Sequence, residues 1–297
     1  MKRYPPLHRL SPRDKLPGQE APKPCYQPMT STQTDPILLR RIDGAVATLT
    51  LNRPRQRNCL SEALLQDITG AINDLAQDAA IKAIVIAANG PAFCSGHDLK
   101  ELNARRADDD KGRDYFKHIM RLCSAMMQAI VTCPKPVIAR VHGLATAAGC
   151  QLVASCDLAV AADTAHFATP GVNIGLFCST PMVALSRNVS RKHAMEMLLL
   201  GDMISAQQAE QWGLVNRAVP EDQLDGAVAG FTDILAQKSS QTMAIGKGAF
   251  YDQLDMGLAD AYDYASDVMV RNMLAADAVE GIGAFLEKRD PVWQGDG

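Results

Sequence analysis

The sequence predicts a layered α/β fold followed by an all-helical C-terminal part, on three observations. Strand-length and helix-length apolar patterns alternate from about residue 45 to residue 162, strand patterns stop after about residue 225, and four helix-length patterns fill the remainder. Residues 45–51 read as a strand, ended by Asn52-Arg53-Pro54. Ser61 caps a helix over residues 62–78, where Leu64, Leu65, Ile68, Ile72 and Leu75 recur at helical spacing. Residues 81–88 form an apolar run of strand length closed by Asn89-Gly90-Pro91. A long amphipathic helix over 114–133, a buried strand over 136–141, a helix over 147–155 and a strand over 157–162 repeat the alternation. Helices are then expected over 224–238, 242–254, 258–273 and 279–288. The organisation expected is a tail over 1–36, a core over 37–224 and a helical oligomerisation region over 225–297. Residues 105–112, Arg-Arg-Ala-Asp-Asp-Asp-Lys-Gly, read as a solvated, mobile loop.

With 297 residues, 47% hydrophobic and 21% charged, the chain can bury a sizeable core. A formal net charge of -3 supplies no basic field for nucleic acid or an anionic membrane, and no apolar run reaches spanning length, so neither partner is expected. The eight cysteines show no paired Cys-x-x-Cys spacing, and His118, His142, His166 and His193 share no ligand spacing; reduced thiols and no metal site follow. Residues 1–35 hold seven prolines among interspersed Lys and Arg, which excludes a long helix or strand. Asp14, Glu20 and the prolines argue against a mitochondrial presequence, so a cytoplasmic location is expected, with the mitochondrial matrix as alternative. Met29 is an alternative start, since ordered patterning begins near Ile37.

Two segments carry chemistry: Ala92-Phe93-Cys94-Ser95-Gly96-His97-Asp98-Leu99-Lys100-Glu101 and His142-Gly143-Leu144-Ala145-Thr146-Ala147-Ala148-Gly149-Cys150-Gln151. Ser95-Gly96 follows a strand and a turn, where glycine lets the backbone bend and point an N–H into a cavity. Ala147-Ala148-Gly149 stands where a helix begins, so its first N–H groups lack intrahelical partners and lie at the positive end of the dipole. Two such donors on one oxygen make an oxyanion hole, suited to a thioester carbonyl that becomes an enolate. The same spacing also serves close helix–strand packing, and taken alone it leaves both readings open.

Together with Leu51-Asn52-Arg53-Pro54, Ser155-Cys156-Asp157-Leu158-Ala159, Phe167-Ala168-Thr169-Pro170 and Gly283-Ala284-Phe285-Leu286-Glu287-Lys288-Arg289, these segments resemble the enoyl-CoA hydratase/isomerase (crotonase) family over residues 37–293. The resemblance implies a ClpP/crotonase-like spiral of ββα units with a C-terminal helical trimerisation region, assembled as a homotrimer or a dimer of trimers. It implies an acyl-CoA thioester as ligand, with coenzyme A entering as part of the substrate and no resident cofactor. Ser95 and Ala148 then carry the two oxyanion N–H groups. The three CoA phosphate groups are expected to meet Arg53, Arg55, Arg57, Lys100 and, from a neighbouring subunit, Lys288.

The family's two catalytic glutamates are missing: one position holds Gln151, whose amide takes up no proton, and the other Gly171, which has no side chain. Gln151 retains the capacity to hold water or substrate by hydrogen bonds. His97, two residues past Ser95, stands in a Gly-His-Asp context that resembles the family's methylmalonyl-CoA decarboxylases, which implies a decarboxylase, isomerase or thioesterase role; a structural hydrogen-bonding histidine is the alternative. Asp98 is read as a helix cap, Glu101 as pointing to solvent and Cys178 as a small buried hydrophobe. The readings in competition are an enolate-stabilising acyl-CoA enzyme, a non-catalytic acyl-CoA-binding protein, and an RNA-binding member, which the helix over 62–78 disfavours by carrying no Lys or Arg. Restored glutamates at Gln151 and Gly171 are expected to raise hydratase activity.

Overall fold

The computed structural model describes residues 35–295. The expected tail and the alternative start at Met29 fall outside them. The chain begins with β1 (Leu38–Asp43) and β2 (Val46–Leu51), an antiparallel pair, then α1 (Glu62–Gln77), β3 (Ala83–Ala88), α2 (Leu99–Ala104) and α3 (Arg113–Thr132). β4 (Val137–Val141), β5 (Leu144–Thr146), α4 (Ala148–Ser155), β6 (Leu158–Ala162) and β7 (His166–Ala168) follow. Next come α5 (Ser179–Asn188), α6 (Arg191–Leu200), β8 (Ile204–Ser205), α7 (Ala206–Trp212) and β9 (Arg217–Val219). The chain closes with α8 (Leu224–Ala236), α9 (Ser240–Gln253), α10 (Leu258–Met273) and α11 (Ala276–Glu287).

Six strands form one sheet in the order β1-β2-β3-β4-β6-β9, parallel from β2 onward, and β5-β7-β8 form a second. The central strands read as unbroken apolar runs because both faces are covered. On β3, Ile84 and Ile86 enter the large core with α1 and α3, whereas Val85 turns to the opposite face. On β4 and β6 the same alternation sends Ile138, Val160 and Ala162 to that face, where Leu224 and Val228 of α8 cover them. Period-two geometry therefore assigns α8 to the core, so the cover of the sheet runs past the boundary expected at residue 225.

Residues 105–111 are exposed and Gly112 is buried, and the segment is pinned, against the expectation of a mobile loop. Arg105 stacks over Tyr115 at 4.6 Å and Arg106 over Phe116 at 5.5 Å. Asp110 accepts the N–H groups of Gly112 and Asp114 at 2.8 Å each, capping α3 in place of Gly112, which has no side chain to do so.

The terminal helices are fastened by one buried ion pair. Lys247 on α9 donates to Asp157 Oδ2 at 2.7 Å and to the carbonyls of Ile130 and Lys135 at 3.0 Å each. Asp157 also accepts from Val137 N–H at 2.7 Å and from the Tyr251 hydroxyl at 2.9 Å. The two side chains are only 8% and 16% exposed. Removing the cation leaves an uncompensated carboxylate, so Lys247→Met is expected to cost about 3 kcal/mol, read as a lowered urea midpoint at unchanged slope.

Candidate functional site

The site forms where residues 92–98 cross the start of α4. Cys94 bridges Ala145 in parallel, its N–H donating to Leu144 O at 3.0 Å and its carbonyl accepting from Thr146 N–H at 2.9 Å. Gly149 lies against that carbonyl so closely that a Cβ there would stand 2.1 Å from Cys94 O. Gly96, at φ +94°, faces the first turn of the helix: its Cβ would lie 2.9 Å from Ala147 Cβ and 3.4 Å from Ala148 N. Asn58, fully buried, braces the segment from behind; its Oδ1 accepts Arg53 N–H and its Nδ2 donates to the carbonyls of Asn89 and Ala92, each at 2.8 Å.

Ala147 takes φ 50°, ψ -119°, a conformation that L residues avoid, with strain of roughly 1–3 kcal/mol. Two bonds hold it there: its N–H donates to Ala168 O at 2.9 Å and its carbonyl accepts Gln151 N–H at 3.0 Å. Ala148 is therefore the first residue of α4, with its N–H beside Gly96.

Which amide of the facing segment is free depends on register. Ser95 N–H donates to Arg57 O at 3.1 Å, so it is committed to the protein, and the expectation that it serves an oxyanion is corrected. Leu60 N–H donates to Gly96 O at 2.8 Å and Asp98 N–H to Leu60 O at 3.0 Å. That parallel bridge brackets His97 and leaves the His97 N–H outside the ladder.

Three side chains around this point carry buried polar atoms without a partner among the described residues: His97 Nε2, Gln151 Oε1 and Thr169 Oγ1. Gln151 is 4% exposed and Thr169 0%. Burial pushes the His97 pKa down to about 4, so its imidazole is neutral at neutral pH. Burial also raises the thiol pKa of Cys178, in keeping with a small buried group rather than a nucleophile. Gly171 is sealed: a Cβ there would meet Leu176 O at 2.5 Å and Cys178 Sγ at 2.9 Å, while Leu176 N–H donates to Gly171 O at 2.9 Å. The glutamate expected at Gly171, together with one at Gln151, to raise hydratase activity finds no space there.

The basic residues separate into two sets. Arg53 is structural, donating to Cys59 O at 2.6 Å and to Asp98 Oδ2 at 2.9 Å with both charged groups mostly buried, so its expected phosphate contact is corrected. Asp98 in turn accepts the N–H groups of Lys100 and Glu101, capping α2 as expected. Burial pushes the Asp98 carboxyl up, but Arg53, the Cys59 thiol and those two amides outweigh it and hold its pKa below the ordinary value. Arg55, Arg57, Lys100 and Lys288 are exposed. Glu101 does not run into solvent; its carboxylate accepts Glu62 N–H at 3.0 Å and caps α1 beside a cleft of about 350 Å³ lined also by Arg105, Asp108 and Tyr115.

The six-stranded, mostly parallel sheet, with backbone amides left open at the start of α4, makes this an α/β protein with a donor site at a helix start. The family described as enoyl-CoA hydratase/isomerase matches residues 41–296, and this chain belongs to it. It is 50% identical over 254 residues, 86% of this chain and 83% of the relative, to rat enoyl-CoA hydratase domain-containing protein 3, mitochondrial. It is 46% identical over 286 residues to the human protein of that name, covering 96% of this chain and 92% of the relative. Among solved structures it resembles an enoyl-CoA hydratase from Mycobacterium smegmatis at TM-score 0.83 and 50% identity, over 87% of this chain and 99% of that one. Human enoyl Coenzyme A hydratase domain-containing protein 3 matches at TM-score 0.83 and 48% identity, over 87% and 100%. The crotonase fold expected from the motifs is the fold observed.

Two outcomes follow from this geometry. Gly171→Glu is expected to lose about 2 kcal/mol or more in urea unfolding and to gain no turnover of crotonyl-CoA. For His97, the unfolded chain with its ordinary pKa of 6.5 takes up a proton before the folded chain does, so stability is complete above pH 6.5 and falls toward pH 4. Full loss amounts to roughly 3 kcal/mol, and His97→Asn is expected to flatten the slope of unfolding free energy across that window; an unaltered slope contradicts the burial account.

Proposed function

We propose that this protein binds an acyl-CoA thioester with the carbonyl oxygen between the N–H groups of Ala148 and His97, and stabilises the enolate that forms at the α-carbon. The observation that carries the reading is the pairing of an unpartnered N–H at the start of α4 with a facing amide left out of the Leu60 bridge. Membership of a family whose description names enoyl-CoA hydratase and isomerase supports the ligand class. Hydration by a glutamate pair is set aside, because Gln151 cannot take up a proton and Gly171 has neither a side chain nor space for one. The reactions that remain are those built on the enolate itself, isomerisation or decarboxylation, with a proton exchanged with solvent. A non-catalytic acyl-CoA-binding role is the second reading, and the neutrality of His97, Gln151 and Thr169 favours it.

Exposed Arg55, Arg57 and Lys100 supply cations for the CoA phosphates, and Lys288 supplies one from a neighbouring copy. A homotrimer is supported by the apolar side chains that α10 and α11 leave uncovered, among them Leu258 and Leu274 at 77% and 78% exposed and Phe285 and Leu286 at 81% and 74%. The mitochondrial names of the rat and human relatives support the matrix alternative and give none to the cytoplasmic expectation.

Deuterium incorporation at the α-carbon of butyryl-CoA in heavy water, followed by mass spectrometry, tests the proposal. The full chain is expected to exchange the α-hydrogen. Ala148→Pro deletes the N–H and is expected to slow exchange by about a hundredfold to a thousandfold. Binding without exchange selects the non-catalytic reading, and absence of binding overturns the proposal.

A further inference from the structure

We infer that Lys247 and Tyr251 of α9 are positioning residues for the donor site: by gripping Asp157, two residues beyond the end of α4, they fix the far end of that helix and so hold the Ala148 N–H in place at its start. The inference rests on the thioester-donor reading above and adds to it the device that keeps one donor aligned.

α4 runs from Ala148 to Ser155 with all eight residues buried, which makes it a rod of about 12 Å at 1.5 Å per residue. The last four carbonyls of a helix lack intrahelical partners, and here three of them find a partner elsewhere in the chain. Cys156 Sγ donates to Leu152 O at 3.3 Å, Cys156 N–H to Val153 O at 3.1 Å, and Asn188 Nδ2, from α5, to Ala154 O at 2.8 Å. The closing turn therefore does not fray by itself, and a force on Asp157 acts on the helix as a unit.

Asp157 is held from two sides. Its N–H donates to Val137 O at 2.9 Å and its Oδ2 accepts Val137 N–H at 2.7 Å, which ties it to β4. From α9, Lys247 Nζ donates to the same Oδ2 at 2.7 Å and the Tyr251 hydroxyl donates to Oδ1 at 2.9 Å. The two donors stand four residues apart, so one turn of α9 presents both to one carboxylate. A buried ion pair contributes little net stability over apolar packing of the same shape, and its use here fits the fixing of a position. α9 is joined in this way to the closing end of α4, whose opening end carries the donor. A misplacement of about 1 Å at an aligned group costs up to about a hundredfold in rate, so the grip at one end of a rigid helix matters at the other.

Difference infrared spectroscopy of butyryl-CoA, labelled with carbon-13 at the thioester carbonyl and bound to the full chain, tests the assignment, because donors aligned on the carbonyl oxygen polarise the bond and lower its stretching frequency. The wild-type chain is expected to displace the band below that of the free thioester. Tyr251→Phe, which deletes one hydroxyl and keeps the ring, is expected to keep binding and to lose part of that displacement. Ser239→Ala removes a different buried bond among the terminal helices, the 2.6 Å contact with Asp277 Oδ2, and is expected to leave the band where the wild-type chain puts it. A wild-type band in Tyr251→Phe, or an equal loss in Ser239→Ala, overturns the inference and leaves the thioester reading intact. Failure of the wild-type chain to bind butyryl-CoA, or a bound band at the free position, overturns the donor reading and this inference with it.

Discussion

Everything at the site depends on the near-contact of two backbones, the Cys94–Gly96 segment and the first turn of α4. A peptide carbonyl seated where a Cβ of residue 149 would be, and a residue 96 whose own Cβ would overlap Ala147, leave room for glycine alone at both points. That approach is what sets the Ala148 N–H beside Gly96. Donors of this kind work because they are fixed before charge develops, and a displacement of about 1 Å weakens them severely. Strain at Ala147 is the cost of the arrangement, and the bonds to Ala168 and Gln151 are what keep the residue there.

The polar residues closest to the segment serve this geometry rather than a ligand. Arg53 and Asp98 neutralise one another while each also holds backbone: Arg53 the Cys59 carbonyl, Asp98 the first amides of α2. Asn58 ties the same turn to residues 89 and 92. A guanidinium that is mostly buried and doubly bonded cannot swing out to a phosphate without leaving a carboxylate stranded, which is why an arginine in a basic Asn-Arg-Pro-Arg-Gln-Arg run turns out to be internal.

Long elements were legible in the sequence because their periodicity is long enough to register. The α1 stripe from Leu64 to Leu75, the Ser61 cap and the uniformly apolar β3 all appear where patterning puts them. The strands β5, β7, β8 and β9 contain two or three residues each, too few for any period, and β1 is a largely exposed edge strand without alternation. The candidate site was legible in its location and not in its details, because its donors are backbone atoms. Residue identity marks where a helix begins, but only the register of the Leu60 bridge decides that Ser95 is spent and His97 is free. Thr169 sat within a quoted motif with nothing to mark its hydroxyl; the signal is burial without a partner, which only coordinates supply.

Neither Gln151 nor Gly171 carries a carboxylate, and the packing around Gly171 leaves no room for one. Residues 171–178 fold back so that Leu176 O and Cys178 Sγ fill the space beside Gly171. A glutamate kept at position 151 would then be a lone acid, nearly buried, driven toward its protonated form by desolvation. Gln151 retains the length and the hydrogen-bonding oxygen without that penalty. The same desolvation holds His97 neutral and the Cys178 thiol protonated, so the field at the site is left to the positive end of α4 and the amides facing it. Amides at a helix start favour negative charge on an oxygen placed among them, and the neutral side chains of His97, Gln151 and Thr169 add no acid beside it. On the proposed enolate reading the proton comes from solvent, because an imidazole with a pKa of about 4 carries none to give at neutral pH, and that sets the site apart from one designed to add water across a double bond.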